Sequence, residues 1–322
     1  MAKYTTEVIK KLSELGFRDT FGREILEIGE MYPNTVVLAA DLSDATRVTK
    51  FSEKFPNNFI QVGIAEQNMM SIASGLSLCG KMCFCATFAP FATLRCCEQV
   101  RNDISYQNRN VKIIAIDSGL ATGYLGVSHY GLEDIAIMRS IPNLSVISPS
   151  DCLSLAKLLW KIVKYKGPVY VRLSGGKNIP IIYHEDYEFK IGESVTLSEG
   201  KDVSIFATGL MVSEALQASS ILKKSSIEVR VIDVHTIKPI DIKTIKKASE
   251  ETKLIVTVEE HNLIGGLGSA VAEVIAEQGT NSKLLRIGLP DKFIHKYNSH
   301  KALLEKYCLT SISIANKVIK NL

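Results

Sequence analysis

Residues 62–68 read V-G-I-A-E-Q-N, and Glu66 stands there between an apolar strand-like run and an apolar helical one. A carboxylate in the first turn of a helix gains about 0.3–1 kcal/mol from the helix dipole, which by itself would account for the residue. The other account is a buried acid with a proton to hold or move. Three further segments carry residue types that do chemistry. Asp41 lies in A-A-D-L-S-D-A-T-R, Phe88 and Phe91 sit three apart in A-T-F-A-P-F, and His129 closes the Gly-rich stretch D-S-G-L-A-T-G-Y-L-G-V-S-H. Each has an ordinary reading as well: a turn or N-cap acid, a pair of core rings, a histidine bonded to backbone. Ligands of open parallel sheets bind beyond the carboxyl ends of the strands, so acid, acid, aromatic pair and histidine can converge on one rim.

The elements that must position them alternate along the chain. Strand-like runs rich in β-branched and aromatic residues occur at 35–41, 59–64, 82–88, 111–117, 144–149 and 168–174. They read as strands buried on both faces. Between them, residues 65–80 place Met69, Ile72, Ala73 and Leu76 on one helical face, with Gly80 as the stop. Residues 151–167 form a second helix, with Asp151 as N-cap and Gly167 at its close. Residues 183–200 are polar and aperiodic and read as a connecting linker. A second series follows, in which 227–239 read as one strand and 253–261 as another. The alternation predicts an α/β protein of two doubly wound domains, 1–185 and 186–322, with parallel or mostly parallel sheets. The Gly-rich I-G-G-L-G-S-A-V (264–271) is expected to be a tight turn with close helix packing rather than an anion site.

The bulk numbers exclude several classes. The 322 residues carry a net charge of +4, with 46% apolar and 22% charged residues. That is ordinary for a soluble protein, and the scattered lysines do not argue for nucleic acid. No run approaches the length of a membrane span, and the N-terminal segment reads as an amphipathic helix without a secretory core, so a cytoplasmic location is expected. The seven cysteines are an odd number and read as free thiols. Cys79, Cys83, Cys85, Cys96 and Cys97 lack paired knuckles and a nearby histidine, so they read as small buried hydrophobes and no metal site is assigned. There is no G-x-x-x-x-G-K-[ST], no G-x-S-x-G and no H-E-x-x-H.

Five blocks in order, "ADLSDATR", "FPNNFIQVGIAEQNMMSIASGLSLCG", "ATFAPFATLRCCEQVRNDI", "SHYGLEDIAIMRSIPNLSVISPSD" and "VTVEEHNLIGGLGSAV", resemble the transketolase family over nearly the whole chain. The G-D-G motif of that family's metal-binding N-terminal domain is absent. The chain therefore resembles the C-terminal subunit of a split transketolase, a pyrimidine-binding domain followed by the C-terminal domain. The resemblance implies thiamine diphosphate, with a magnesium or calcium ion held by a separately encoded N-terminal partner, and an α2β2 assembly. It implies roles as well. Glu66 matches the acid that bonds N1′ of the cofactor's aminopyrimidine and favours the imino tautomer, which is the base for the thiazolium proton. Phe88 and Phe91 match the aromatic wall behind that ring, Asp41 and Leu42 the pair near the thiazolium, and His129 a histidine that contacts the sugar.

The departures fall on the substrate side. The family's acids in that loop are replaced by Tyr124 and Leu125, a further histidine by Asp117, a phosphate-binding serine by Ala45 and an arginine by Gly176 and Lys177; a tyrosine of the wall is Leu94. The resemblance thus implies two-carbon ketol transfer from a ketose to an aldose, on a sugar other than the usual pentose phosphates, with Tyr124 and Lys177 among the substrate contacts. Rival readings are a deoxyxylulose phosphate synthase-like enzyme, a 2-oxoacid dehydrogenase β-like subunit and a non-catalytic scaffold.

Overall fold

A computed structural model describes residues 4–280 and 282–322. Its twelve strands are β1 Thr35–Ala39, β2 Phe59–Gln61, β3 Met82–Phe88, β4 Val111–Ser118, β5 Ser145–Ile147, β6 Val169–Ser174, β7 Val195–Ser198, β8 Val203–Ala207, β9 Val229–Asp233, β10 Thr236–Lys238, β11 Leu254–Asn262 and β12 Lys283–Leu289. They form a seven-stranded sheet, β10-β5-β6-β4-β3-β1-β2, and a five-stranded sheet, β12-β11-β8-β9-β7. All neighbours run parallel except two edge pairs, β10 on β5 and β7 on β9. The α/β class read from the alternation is what the chain adopts.

Strands β1, β3, β4 and β6 are buried along their full length, which is why their sequences run continuously apolar instead of alternating. Helices cover both faces of the large sheet. Phe17, Phe21, Ile25 and Ile28 of helix Phe17–Met31 pack on one face beside helix Cys152–Lys164. Met69, Met70 and Ala73 of helix Glu66–Leu78 pack on the other. The buried face of that helix is turned from the one expected. Met70 and Ser74 are inside, and Ile72 and Leu76 are only half-buried at its margin.

Three expectations need correction. The run 227–239 is two strands, not one. After β9 the chain crosses over, and β10 adds to the edge of the first sheet, Thr236 opposite Ile147. Residues 183–200 are not a plain linker: Tyr183 and Phe189 are buried, and β7 pairs with β9. The cysteines do not share one fate. Cys83, Cys85 and Cys96 are buried, but Cys79 is exposed and Cys97 half-buried.

The Gly-rich turn at 264–271 packs as expected. Glu259 is fully buried and accepts from the backbone N–H of Leu267 (2.7 Å) and of Gly268 (2.8 Å), at the start of helix Leu267–Glu277. A Cβ on Gly266 would lie 2.0 Å from Glu259 Oε2, so only glycine lets the carboxylate reach the helix end. Burial nevertheless pushes the Glu259 carboxyl up to about 7.

Candidate active site

The carboxyl ends of β1, β3, β4 and β6 lie along one edge of the large sheet, and most of the candidate residues sit there. Phe88 ends β3, and the chain turns at once into the short helix Ala89–Ala92. That turn sets Phe91 edge-on to Phe88, with ring centroids 5.7 Å apart. The buried Cys96 thiol donates to the Phe91 carbonyl at 3.0 Å and fixes this corner. Burial pushes that thiol up to about 12, so it stays protonated and able to donate. His129 completes the group, its ring 5.6 Å from Phe88 and 5.2 Å from Phe91. Its Nδ1 lies 3.0 Å from Ser128 Oγ.

Glu66 is the first residue of its helix and is 2% exposed. Its Oε1 accepts from Arg95 Nη1 at 2.7 Å, and the Arg95 guanidinium lies over the Phe91 ring, 3.9 Å from its centroid. Arg95 therefore ties the acid to the aromatic corner. Sequence reading missed it because arginines are common, yet Phe91 and Arg95 are four apart, the spacing that brings side chains together over a helical turn.

Asp41 stands just past β1 in a left-handed conformation (φ 58°) and is exposed. Its backbone N–H donates to Gln61 Oε1 at 2.6 Å, which ties the ends of β1 and β2. Leu42 and Phe91 pack against the same hydrophobic cluster, to which Phe88 belongs. The ordered group is thus Phe88, Phe91, His129 and Glu66. Asp41 and Leu42 border it, Tyr124 stands in solvent at 71% exposure, and Lys177 is an exposed residue after β6.

Asp117 near the end of β4 is also left-handed (φ 56°), at a break in the register between Ala115 and Ser118. Such bulges re-aim side chains, and here the carboxylate meets Arg18 of helix Phe17–Met31. Arg18 Nε donates to Asp117 Oδ1 at 3.1 Å, and Nη2 pairs with Oδ2, a two-pronged charge-assisted contact. Burial pushes the Asp117 carboxyl up, while Arg18 and His129 draw it down. Gly16, two residues before Arg18, packs against the Gly176 carbonyl, so Lys177 lies beside the same corner.

The loop from 119 to 131 is held by the other sheet. Gly119 and Gly131 exchange backbone bonds at 2.8 and 3.2 Å. Glu260 at the end of β11 accepts from Leu120 N–H at 2.6 Å. A Cβ on Gly119, where φ is 68°, would come within 2.6 Å of that carboxyl. Tyr130 donates its hydroxyl to the carbonyls of Gly123 (2.6 Å) and Lys296 (2.8 Å). The half of the chain after residue 186 therefore sets where His129 stands.

Among the described residues, no group of three His, Cys, Asp or Glu is arranged to hold a metal ion. None of their helices is long and apolar enough to cross a membrane.

An ordered aromatic corner, a buried glutamate and a rim histidine thus share one edge of a largely parallel α/β sheet. Residues 13–178 match the transketolase pyrimidine-binding domain, and residues 192–314 match the transketolase C-terminal domain. The chain belongs to the transketolase family, which depends on thiamine diphosphate. It is 45% identical to a putative transketolase C-terminal section of Methanocaldococcus jannaschii, over 95% of this chain and 96% of that one. It is 36% identical to a subunit of the apulose-4-phosphate transketolase of Phocaeicola vulgatus, over 93% of this chain and 97% of that one. It is 39% identical to a 6-deoxy-6-sulfo-D-fructose transketolase subunit of Clostridium sp., over 94% of each. A solved structure described as a split gene transketolase, inactive beta4 tetramer, superimposes with a TM-score of 0.85 at 40% identity, over 95% of this chain and 97% of that one.

The residues present fit the cofactor's pyrimidine. Arg95 already sets a planar nitrogen group over Phe91, 3.9 Å from its centroid, with an N–H on Glu66, the two contacts an aminopyrimidine needs.

Proposed function

We propose that this chain supplies the pyrimidine half of a thiamine diphosphate site, residues 1–185, followed by the C-terminal domain, 186–322. A separately encoded subunit brings the diphosphate- and metal-binding half, and the two associate as α2β2. The assembled enzyme transfers a two-carbon ketol unit from a ketose to an aldose. The observation that carries this reading is the buried Glu66 beside the Phe88–Phe91 corner with His129 on its rim. Bound there, the cofactor supplies a nucleophilic carbon that cleaves and rejoins carbon–carbon bonds next to a carbonyl.

The chain's own groups have separate tasks. Glu66 holds a proton at the ring nitrogen in a place that water reaches poorly. Phe88 and Phe91 give the ring an apolar wall. Leu42 supports the cofactor and Asp41 stands by the thiazolium. His129 orients sugar hydroxyls and moves their protons. Tyr124 and Lys177 line the substrate approach.

The substrate is a sugar outside the usual pentose phosphates. Two relatives are named for different unusual sugars, one phosphorylated and one sulfonated. In this chain Asp117 engages Arg18 at the rim, so that guanidinium is not a free anion clamp. The test is to co-express the chain with its partner subunit and screen phosphorylated, sulfonated and neutral ketoses against a generic aldehyde. Glu66→Gln should lower turnover by about 10²–10⁴, the range of one positioned acid–base group, with the fold intact. Near-normal turnover in that variant overturns the assignment. Release of carbon dioxide from pyruvate would point instead to the synthase-like rival.

A further inference from the structure

We propose that Arg95 is an internal stand-in for the aminopyrimidine, a latch that holds the ring's place in the chain without cofactor and leaves when the ring enters. The inference rests on the functional reading above, and it assigns a role to a residue outside that reading.

Three observations place the guanidinium there. It is flat, it lies 3.9 Å from the centroid of Phe91, and it donates to Glu66 Oε1 at 2.7 Å. An arginine that merely paired with a surface acid would have no need of the ring. One that merely packed on the ring would leave a 2% exposed carboxylate to find another partner, which a buried charge requires. Arg95 meets both needs at once, and these are the same face and the same carboxyl that a flat heterocycle would use.

The latch is also built to open. The Arg95 side chain is 42% exposed, so it can swing to solvent by side-chain rotation. Residues 64–68 and Arg95 line an open recess of about 510 Å³, so a ring has a path in as the arginine moves out. Ile64 (78% exposed) lines the recess and offers an apolar edge to an incoming ring. The exchange is unequal in charge. The arginine gives Glu66 a full cation, whereas an aminopyrimidine gives it a neutral partner with a ring nitrogen. In the absence of the ring, the catalytic acid is kept buried, paired and silent.

The test uses the isolated chain and an aminopyrimidine that has no charged tail, 4-amino-2,5-dimethylpyrimidine, titrated by calorimetry. Arg95→Ala should bind the fragment about 10- to 100-fold tighter than the unaltered chain, the factor expected when a charge-assisted bond no longer competes. Raising salt from about 50 to about 500 mM weakens a partly exposed ion pair, so it should tighten binding to the unaltered chain and leave Arg95→Ala unchanged. A merely structural arginine would not produce that salt dependence. Arg95→Lys keeps the charge but not the flat face, and should fall between the two. If Arg95→Ala does not fold by circular dichroism, Arg95→Gln carries the same expectation.

Binding to Arg95→Ala no tighter than to the unaltered chain, undetectable binding to both included, overturns the latch. The functional reading is tested separately, by whether the unaltered chain with its partner binds thiamine diphosphate.

Discussion

Asp233 and Glu66 are both buried carboxyls, and their partners make them different. Glu66 has a cation. Asp233, wholly buried, has among the described residues only hydroxyl donors, Ser150 Oγ and Tyr183 OH, each at 2.7 Å. Burial outweighs those two bonds and pushes its carboxyl up to about 7. The folded state thus holds the Asp233 proton more tightly than the unfolded chain does. The stability this lends is complete below the ordinary aspartate range and is lost as pH rises through about 7, a change of roughly 4 kcal/mol. The neighbouring His235 has the opposite sign. Burial lowers it to about 4, so its contribution is complete above the ordinary histidine range and is lost as pH falls towards 4. Asp233→Asn keeps an acceptor for both hydroxyls and removes the ionisation. Thermal unfolding followed between pH 5 and pH 8.5 should show the variant close to the unaltered chain at the acid end and more stable at the alkaline end. Parallel curves would refute the buried-acid account. At this scale, what was legible in the sequence was what is rare. A glutamate inside V-G-I-A-E-Q-N, two phenylalanines and a histidine in a Gly-rich loop stand out by type. Arg18 and Arg95 did not, because an arginine's meaning depends on what the fold sets opposite it. Asp233 was read only as part of a strand.

Helix Cys152–Lys164 begins with a cap that the sequence announced, and the cap does more than end a helix. Asp151 Oδ1 accepts from Ser154 N–H at 2.7 Å, and Ser154 returns a bond to the Asp151 backbone. The other oxygen accepts from the N–H groups of Ile182 and Tyr183, both at 2.9 Å. One carboxylate therefore starts the helix and pins the segment that leads out of the first sheet. Asp151→Ala loses a cap worth about 0.5–2 kcal/mol and leaves buried N–H groups unpaired at about 1–3 kcal/mol each. Urea unfolding should show a loss of at least about 2.5 kcal/mol. Asp151→Asn, which retains an acceptor, should lose clearly less, and equal losses in the two variants would count against the capping account. Elements this local were readable, as β3 and β6 were, because burial on both faces writes an unbroken apolar run. The run 227–239 was not, since nothing in its composition marks the point after Asp233 where the chain leaves one sheet and joins another. That choice is made by the edge of β5, which lies more than 80 residues earlier in the chain.

The two sheets are held together by more than that shared strand. Arg172 in β6 is buried with Asp134, its Nε 2.8 Å from Oδ2, and the same oxygen accepts from Tyr170 OH at 2.8 Å. Arg172 Nη2 reaches across to the Glu260 carbonyl at 2.9 Å and to Gly131 at 3.2 Å. Glu260 in turn holds Leu120 and His300, so a chain of contacts runs from the core of the first sheet through the loop bearing His129 to β11. Its members run from Leu120 to His300, which is why no local pattern revealed them. Breaking a buried ion pair by removing one partner costs about 3–5 kcal/mol, and with Arg172 the bond to the Glu260 carbonyl, which crosses between the halves, is lost as well. Arg172→Met fills similar volume but releases both carbonyls and leaves Asp134 without its cation. The single tryptophan, Trp160, sits in helix Cys152–Lys164 and donates to Glu24 Oε2 at 2.6 Å, so its fluorescence follows the first half alone. Far-ultraviolet circular dichroism follows both halves. In the unaltered chain the two signals should share one midpoint. In Arg172→Met the tryptophan transition should separate from the dichroism, and calorimetry should resolve two peaks. Coincident transitions in the variant would mean that the remaining links, β10 and the Glu260–Leu120 and Tyr130–Lys296 contacts, carry the cooperativity, and that the buried arginine serves the loop bearing His129 but not the union of the halves.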